Sequence, residues 1–265
     1  MVGTGPAGGV PRLRCITLRH RADVHHRWRR SCRRHRPHRV CAGARRRGGG
    51  GGLMDHFELD GCRALLLGAG SAAGGAIADA YREAGAEVVE VDRIDPAAEP
   101  FDVLAIARDA FEAQPIANVD DEALGKVMAT NFGEVFAAVR AARGVIRNPG
   151  RIVIVTSVLG ERGLANCTAY AAAQGAVHNF IRAAAQEFAP AGISVNGIAL
   201  GWMDWMDDRI DPTDPEAARA VRFTILKRAG AAAEIGPLAV WLSGSGAGFV
   251  TGQIFTADGG LTAHL

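Results

Sequence analysis

The run RALLLGAGSAAGGAIADAYRE, residues 63–83, limits the fold more than any other stretch of the chain. Arg63 to Leu67 is an apolar run of strand length, glycines follow at once, and Ala73 to Glu83 carries apolar residues at helical spacing. A strand that enters a helix through a Gly-rich turn predicts a parallel sheet, because the helix carries the chain back before the next strand begins. The turn also predicts an anion site. Gly68, Gly70 and Gly74 are spaced G-x-G-x-x-x-G with Ser71 among them, so backbone can approach a phosphate while a helix N-terminus faces it. Glycine alone is a weak signal in a chain with 34 of them, and a nucleotide-free turn has the same composition. A second strand, AEVVEV, ends at Asp92. An acid there can accept both ribose hydroxyls and repel a 2′-phosphate, which favours NAD over NADP, while Arg93 beside it works against that preference.

Charge divides the chain in two. Residues 1–53 hold fourteen arginines and one acid, net +13, whereas 54–265 are net −11, and Gly48 to Gly52 join them. The first segment lacks hydrophobic periodicity and the apolar mass to offset its ordering entropy, which predicts disorder. Three origins stay open for it: a nucleic-acid-binding arm, an organelle transit peptide, or translation upstream of a true start at Met54. The last is favoured by its Arg, Gly, Ala, Pro and His, which GC-rich DNA yields in almost any frame, and nucleic acid is not an expected partner. The expected organisation is an extension over 1–53 and one folded domain over 54–265, with 48% hydrophobic residues in the chain to build a single core. No apolar run reaches the ~18 residues needed to span a membrane and no secretory core is present, so no membrane partner is expected. Cys15, Cys32 and Cys41 lack zinc-ligand spacing, so no metal is expected; Cys62 and Cys167 read as reduced thiols and the compartment as cytoplasm.

Only residues 93–100 separate Asp92 from the next strand, FDVLAIA. A helical crossover needs a dozen or more residues. Eight extended residues span at most about 27 Å, enough to pass to the far side of the first strand without a helix. Asp121 to Ile146 has helical spacing, with Asp120 or Asp121 as N-cap and Gly150 as breaker. GRIVIVTS then reads as a buried strand ending at Ser157, and Tyr170 follows at the start of an Ala-rich helix, Thr168 to Phe188. A serine that hydrogen-bonds a substrate oxygen, beside a tyrosine that gives or takes its proton, suits acid–base chemistry at a carbonyl. ISVNGIAL, a helix over Ala231 to Ser243, and FVTGQIFTADGG complete the pattern. Two Trp and two Met in residues 202–206 fit either a mobile lid, reaching about Pro215 over an apolar or aromatic substrate, or a helix that packs its aromatics inward.

Over residues 60–262 these features resemble the short-chain dehydrogenase/reductase family, whose signature is Ser, then Tyr-x-x-x-Lys, with Thr-Gly-x-x-x-Gly-x-Gly in the first turn. The resemblance implies a Rossmann-like, doubly wound parallel α/β sheet in a single domain, here shortened by one strand after the second and open on one flank of the adenine pocket. It implies hydride exchange between NAD(H) and an alcohol or ketone, with Ser157, Tyr170, Asn131 and Gln174 as the catalytic set. Asn131 matches the helix asparagine held to bind a relay water, or it serves a kinked backbone. Cofactor binding falls to Gly68, Gly70, Ser71, Gly74, Asp92, Arg93, Ala107 and Gly201. The small face of the Thr168 helix (Ala171, Ala172, Gly175, Ala183, Ala184) implies a homodimer or homotetramer.

The departures all border the cofactor. Leu67 and Ala72 replace a threonine and a glycine; Ile106, Ala107, Arg108 and Asp109 stand where the family has Asn-Asn-Ala-Gly; Leu200 and Trp205 replace proline and threonine. The lysine position holds Gln174, which has donors for a ribose and no charge to favour tyrosinate. Arg108 is the one candidate for a replacement cation. Two functions therefore stand. One is an NAD(H)-dependent oxidoreductase with an altered proton relay, acting on an apolar or aromatic small molecule. The other is a catalytically inactive subunit or binding protein of this fold, paired with an active paralogue. Non-redox dehalogenation fits less well, because that branch of the family fills the nucleotide turn with an aromatic where Ala72 and Gly74 stand.

Overall fold

Strands β1 (Arg63–Leu67), β2 (Glu87–Val91), β3 (Phe101–Ile106), β4 (Ile146–Ser157), β5 (Ile193–Leu200) and β6 (Ile254–Ala257) are the apolar runs of the sequence. In the computed structural model, which describes residues 56–209 and 221–263, they pair in parallel as one sheet in the order β2-β1-β3-β4-β5-β6. The expected extension over 1–53, and the part of the expected lid beyond residue 209, lie outside the described residues. β5 is buried at all eight positions, as expected of a central parallel strand covered on both faces. The edge strand β2 instead exposes Glu87 and Glu90, charges that keep an open sheet edge from pairing further.

Residues 92–100 carry the chain from β2 past β1 to β3 with neither strand nor helix. Asp95 tightens the link by accepting from the N–H of Ala97 at 2.8 Å, and Ile94 is buried in the hydrophobic cluster that also holds Leu65, Leu67 and Ile106. The sheet is shortened as the linker length predicts.

Helices α1 (Ala72–Glu83) and α5 (Gly236–Ser243) cover one face, while α3 (Glu134–Ala142) and α4 (Thr168–Phe188) cover the other. α2 (Asp121–Met128) is capped by Asp120, whose carboxylate accepts from the N–H of Ala123 at 2.8 Å. The single helix expected over 121–146 is divided: residues Ala129–Gly133 form a π-helical turn between α2 and α3. α3 ends at Ala142, and Ile146 already belongs to β4, so Gly150 is not the helix breaker. Its place is inside β4, where a side chain would meet the Arg147 carbonyl at 2.6 Å and the Ile146 side chain at 2.8 Å. The last helix is shorter than expected because Pro237 is tolerated only in a first turn, which fixes the start of α5 at Gly236.

Among the described residues no helix is long and apolar enough to cross a membrane. Cys167 is a buried free thiol, as expected.

Candidate active site

The loops that leave the C-terminal ends of β1, β2, β3 and β4 line two adjoining pockets, the usual place for a ligand in an open parallel sheet. The first is built by the Gly-rich turn. Gly68 has φ +87°, and a side chain there would run into the Ala107 carbonyl; one at Gly74 would run into the Gly68 carbonyl. Those two glycines are demanded by packing between turn, helix and β3. Gly70 has open space beyond it, which leaves room for a ligand. Ser71 caps α1, with Oγ accepting from the N–H of Gly74 at 3.0 Å and donating to the Gly68 carbonyl at 2.8 Å. No acid lies in the first turn of α1, so nothing there offsets the attraction of the helix dipole for an anion.

This crevice has a volume of about 420 Å³ and runs from the turn to Asp92 and Arg108. The Asp92 carboxylate is fully exposed, and Arg108 reaches it: Nη2 lies 3.1 Å from the Asp92 carbonyl and 3.4 Å from Oδ1, with Nε 3.6 Å from Glu134. Arg93 is exposed and lines neither pocket. Ala107 is buried, its N–H bonded to the Leu67 carbonyl at 2.8 Å. Gly201 also lines neither pocket. It belongs to the β5–β6 joint, where its N–H meets the Ala257 carbonyl at 3.0 Å and a side chain would overlap Asp258.

The second pocket shares Ser71, Ala107 and Asp109 with the first and adds Ser157, Tyr170, Leu200, Trp205 and Met206. Its volume is about 20 Å³, room for roughly one water molecule. Trp205 and Met206 are half-buried against the core, on a 3₁₀ turn over Asp204–Arg209, so the described part of the expected lid packs inward. Ser157 Oγ accepts from the N–H of Leu159 at 3.2 Å, and its own proton has no acceptor among the described residues. The Tyr170 ring stands edge-on to Phe111, centroids 5.1 Å apart.

The hydroxyl of Tyr170 donates to Asp109 Oδ1 at 2.5 Å. Gln174, one helical turn on, is buried and fixed from both ends. Oε1 accepts from Thr156 Oγ1 at 2.6 Å and from the backbone N–H of Ser157 at 3.2 Å, and Nε2 donates to the same Asp109 oxygen at 3.4 Å. The Ser157 N–H can only donate, so the amide orientation is settled by the bonding pattern. Asn131 is buried in the π turn. It accepts from the Ala110 N–H at 2.9 Å and donates to the carbonyls of Ala110 and Val127, each at 3.0 Å. Of the two roles open to it, the structure shows the backbone one: it holds the residue after Asp109 and does not line the pocket.

Arg108 does not stand in for a lysine, because its guanidinium is turned to Asp92 and Glu134. His178 does not either. Burial pushes its pKa down, with the nearby Arg182 charge adding to the effect, so the imidazole is neutral at pH 7. The group that meets Tyr170 is a carboxylate. In the sequence its signal was the polar pair Arg108-Asp109 directly after an apolar strand, at the end of the sheet where ligands sit.

The crevice fits the phosphates and adenosine of a dinucleotide: an open glycine, an uncompensated helix N-terminus and an exposed acid lie along it in that order. The smaller pocket fits a nicotinamide end in chemistry, while its room depends on Trp205 and Met206 giving way.

The chain is similar in sequence and fold to known proteins. The family profile described as enoyl-(acyl carrier protein) reductase matches residues 101–262. Galactitol 2-dehydrogenase (L-tagatose-forming) of Cereibacter sphaeroides is 32% identical over 78% of this chain and 97% of its own length. Cyclopentanol dehydrogenase of Comamonas sp. is 30% identical over 66% of this chain and 71% of its own. Among solved structures, a chain from Agrobacterium tumefaciens named as a 2-deoxy-d-gluconate 3-dehydrogenase, with bound NADP, superposes with a TM-score of 0.72 at 26% identity, covering 79% of this chain and all of that one.

Proposed function

Because the chain belongs to the short-chain dehydrogenase/reductase family, we propose that it is an NAD(H)-dependent oxidoreductase interconverting a secondary alcohol and a ketone. Its substrate would be an apolar or aromatic small molecule, in keeping with Val155, Leu200, Trp205 and Met206 in the smaller pocket. The observation that carries the reading is the pairing of the Ser157 and Tyr170 hydroxyls in one pocket that opens, through Ala107 and Asp109, onto the Gly-rich crevice. When bound, the nicotinamide supplies or receives the hydride. The chain does the rest: Gly68 to Ser71 and the start of α1 hold the phosphates, Asp92 takes the ribose hydroxyls, and Ser157 holds the substrate oxygen beside Tyr170.

Preference for NAD over NADP rests on Asp92, which would repel a 2′-phosphate. Arg93 and Arg108 nearby pull the other way, and the Agrobacterium relative carries NADP. Fluorescence titration of the full chain with NADH and NADPH tests the proposal. Micromolar NADH binding, weaker NADPH binding, and about tenfold loss of NADH affinity in Asp92→Ala are expected, the loss corresponding to one charged hydrogen-bonding group. A panel containing cyclopentanol and galactitol then identifies an alcohol that is oxidised.

A second reading is a binding subunit without turnover, paired with an active paralogue. It is favoured by the donated Tyr170 hydroxyl and by a pocket with room for one water. No saturation up to millimolar dinucleotide would establish it over the first. The half-exposed aromatic group Phe132, Phe136 and Phe180 on α3, α4 and the turn before them supports self-association as a dimer or tetramer, which sedimentation would measure. We also place the protein in the cytoplasm, which cell fractionation tests.

A further inference from the structure

We propose that Asp109 is the terminal proton acceptor of this site, receiving through Tyr170 the proton that an alcohol loses on oxidation. The inference rests on the oxidoreductase reading above. Three observations carry it. The Tyr170 hydroxyl already donates to Asp109 Oδ1 at 2.5 Å. Gln174 Nε2 lies 3.4 Å from that same oxygen, while Thr156 and Ser157 hold the other end of the amide, so the carboxylate is met by a fixed donor. Asn131 binds both the N–H and the carbonyl of Ala110, which pins the backbone next to Asp109.

The proton balance follows from these contacts. In oxidation the carbinol C–H bond would break and a bound nicotinamide would take its hydrogen with both electrons, balancing the oxidation of the alcohol carbon. The substrate O–H proton passes to Tyr170 Oη as the proton of Tyr170 passes to Asp109, leaving a ketone, a neutral tyrosine and a carboxylic acid. Asp109 is half-buried and lines both pockets, so its proton has a way out through the larger crevice. Reduction runs the same path backwards. No step calls for tyrosinate as a resting state, which removes the need for a lysine charge. Arg108 is turned to Asp92 and Glu134, α4 brings the neutral amide of Gln174 to the carboxylate, and β4 brings the hydroxyls of Thr156 and Ser157.

The contact can be tested without cofactor. The chain has two tyrosines, and burial pushes Tyr81 far above the ordinary phenol range, so ultraviolet titration of tyrosinate on the alkaline side reports Tyr170. Asp109→Asn is expected to move that signal to lower pH, because an ionised neighbour no longer opposes the phenolate, and Tyr170→Phe should remove it. An unchanged titration in Asp109→Asn overturns the proposal.

The role is tested with NADH titration and with the alcohol identified in the panel. Asp109→Asn should keep the NADH affinity within about twofold and lower kcat about 10²-fold or more, the scale of acid–base catalysis. Asp109→Glu should recover part of that loss. An Asp109→Asn enzyme that weakens NADH binding tenfold and keeps kcat would make Asp109 a ribose ligand and overturn the proton-acceptor role. A wild-type chain that binds no dinucleotide overturns the oxidoreductase reading and with it this role, a result the cofactor-free titration keeps distinct from a missing Tyr170–Asp109 contact.

Discussion

The two pockets are built from the same strand ends by opposite means. In the crevice the shape is set by backbone: a left-handed glycine, an open glycine and a helix start, with about 420 Å³ of space. In the smaller pocket the shape is set by side chains, and Asp109, Leu200, Trp205 and Met206 reduce it to about 20 Å³. Backbone cradles tolerate change at neighbouring positions, which is why Leu67 and Ala72 leave the crevice intact. Side-chain pockets do not, so each replacement there rewrites the chemistry. The replacements therefore weigh on the smaller pocket, where Tyr170 meets Asp109, more than on the crevice.

The largest effect should come from attacking the backbone half. Gly68→Val places a β-branched residue at φ +87° against the Ala107 carbonyl. A loss of about 3 kcal/mol in urea unfolding, with loss of NADH binding, is expected from the combined strain and overlap. If the variant bound dinucleotide normally, the crevice would not depend on backbone geometry and the contrast between the pockets would collapse. Trp205→Ala acts on the side-chain half. It should raise kcat/KM for a bulkier alcohol about tenfold over the smallest substrate accepted, the range set by apolar fit. Equal gains for all substrates would mean that Trp205 does not shape the pocket.

The smallest effect concerns the wall behind the cradle. Tyr81 on α1 is fully buried and shares a 2.6 Å hydrogen bond with Ser243 on α5. Tyr81→Phe should cost about 1 kcal/mol by leaving the Ser243 hydroxyl unpaired, without changing either pocket. Burial raises the pKa of Tyr81 well above its ordinary 10.0. The folded chain then keeps a proton that the unfolded chain releases, so the stability linked to this group is complete below pH 10 and falls as pH rises above it. Urea midpoints measured on both sides of pH 10 should show a decline in the wild type that Tyr81→Phe lacks.

Much of this was legible in the chain itself. Hydrophobic period and length marked all six strands, and eight residues between Asp92 and Phe101 were too few for a helical crossover, which removed a strand from the sheet. Gly68, Gly74 and Ser71 could be read because a turn of that shape admits few residue types. The π turn within the helix expected over 121–146 was not legible, since a widened turn costs one residue and leaves the apolar period almost unchanged. Nor was the direction of Arg108, which a linear pattern set beside Asp109 and the fold turned toward Asp92 and Glu134.

A parallel α/β sheet, a glycine cradle at its first turn, and a serine and a tyrosine at the end of the fourth strand and the start of the following helix are all fixed by the order of the amino acids. These follow from local rules: periodicity, glycine's freedom and chain reach. It takes the packed fold to bring Asp109, sixty-one residues away, to the tyrosine and to turn the carbonyl of Gln174 toward Thr156 and Ser157. Which polar group meets which depends on how three strand ends and a helix converge, and a hydrogen bond is formed or lost within about half an ångström of that convergence.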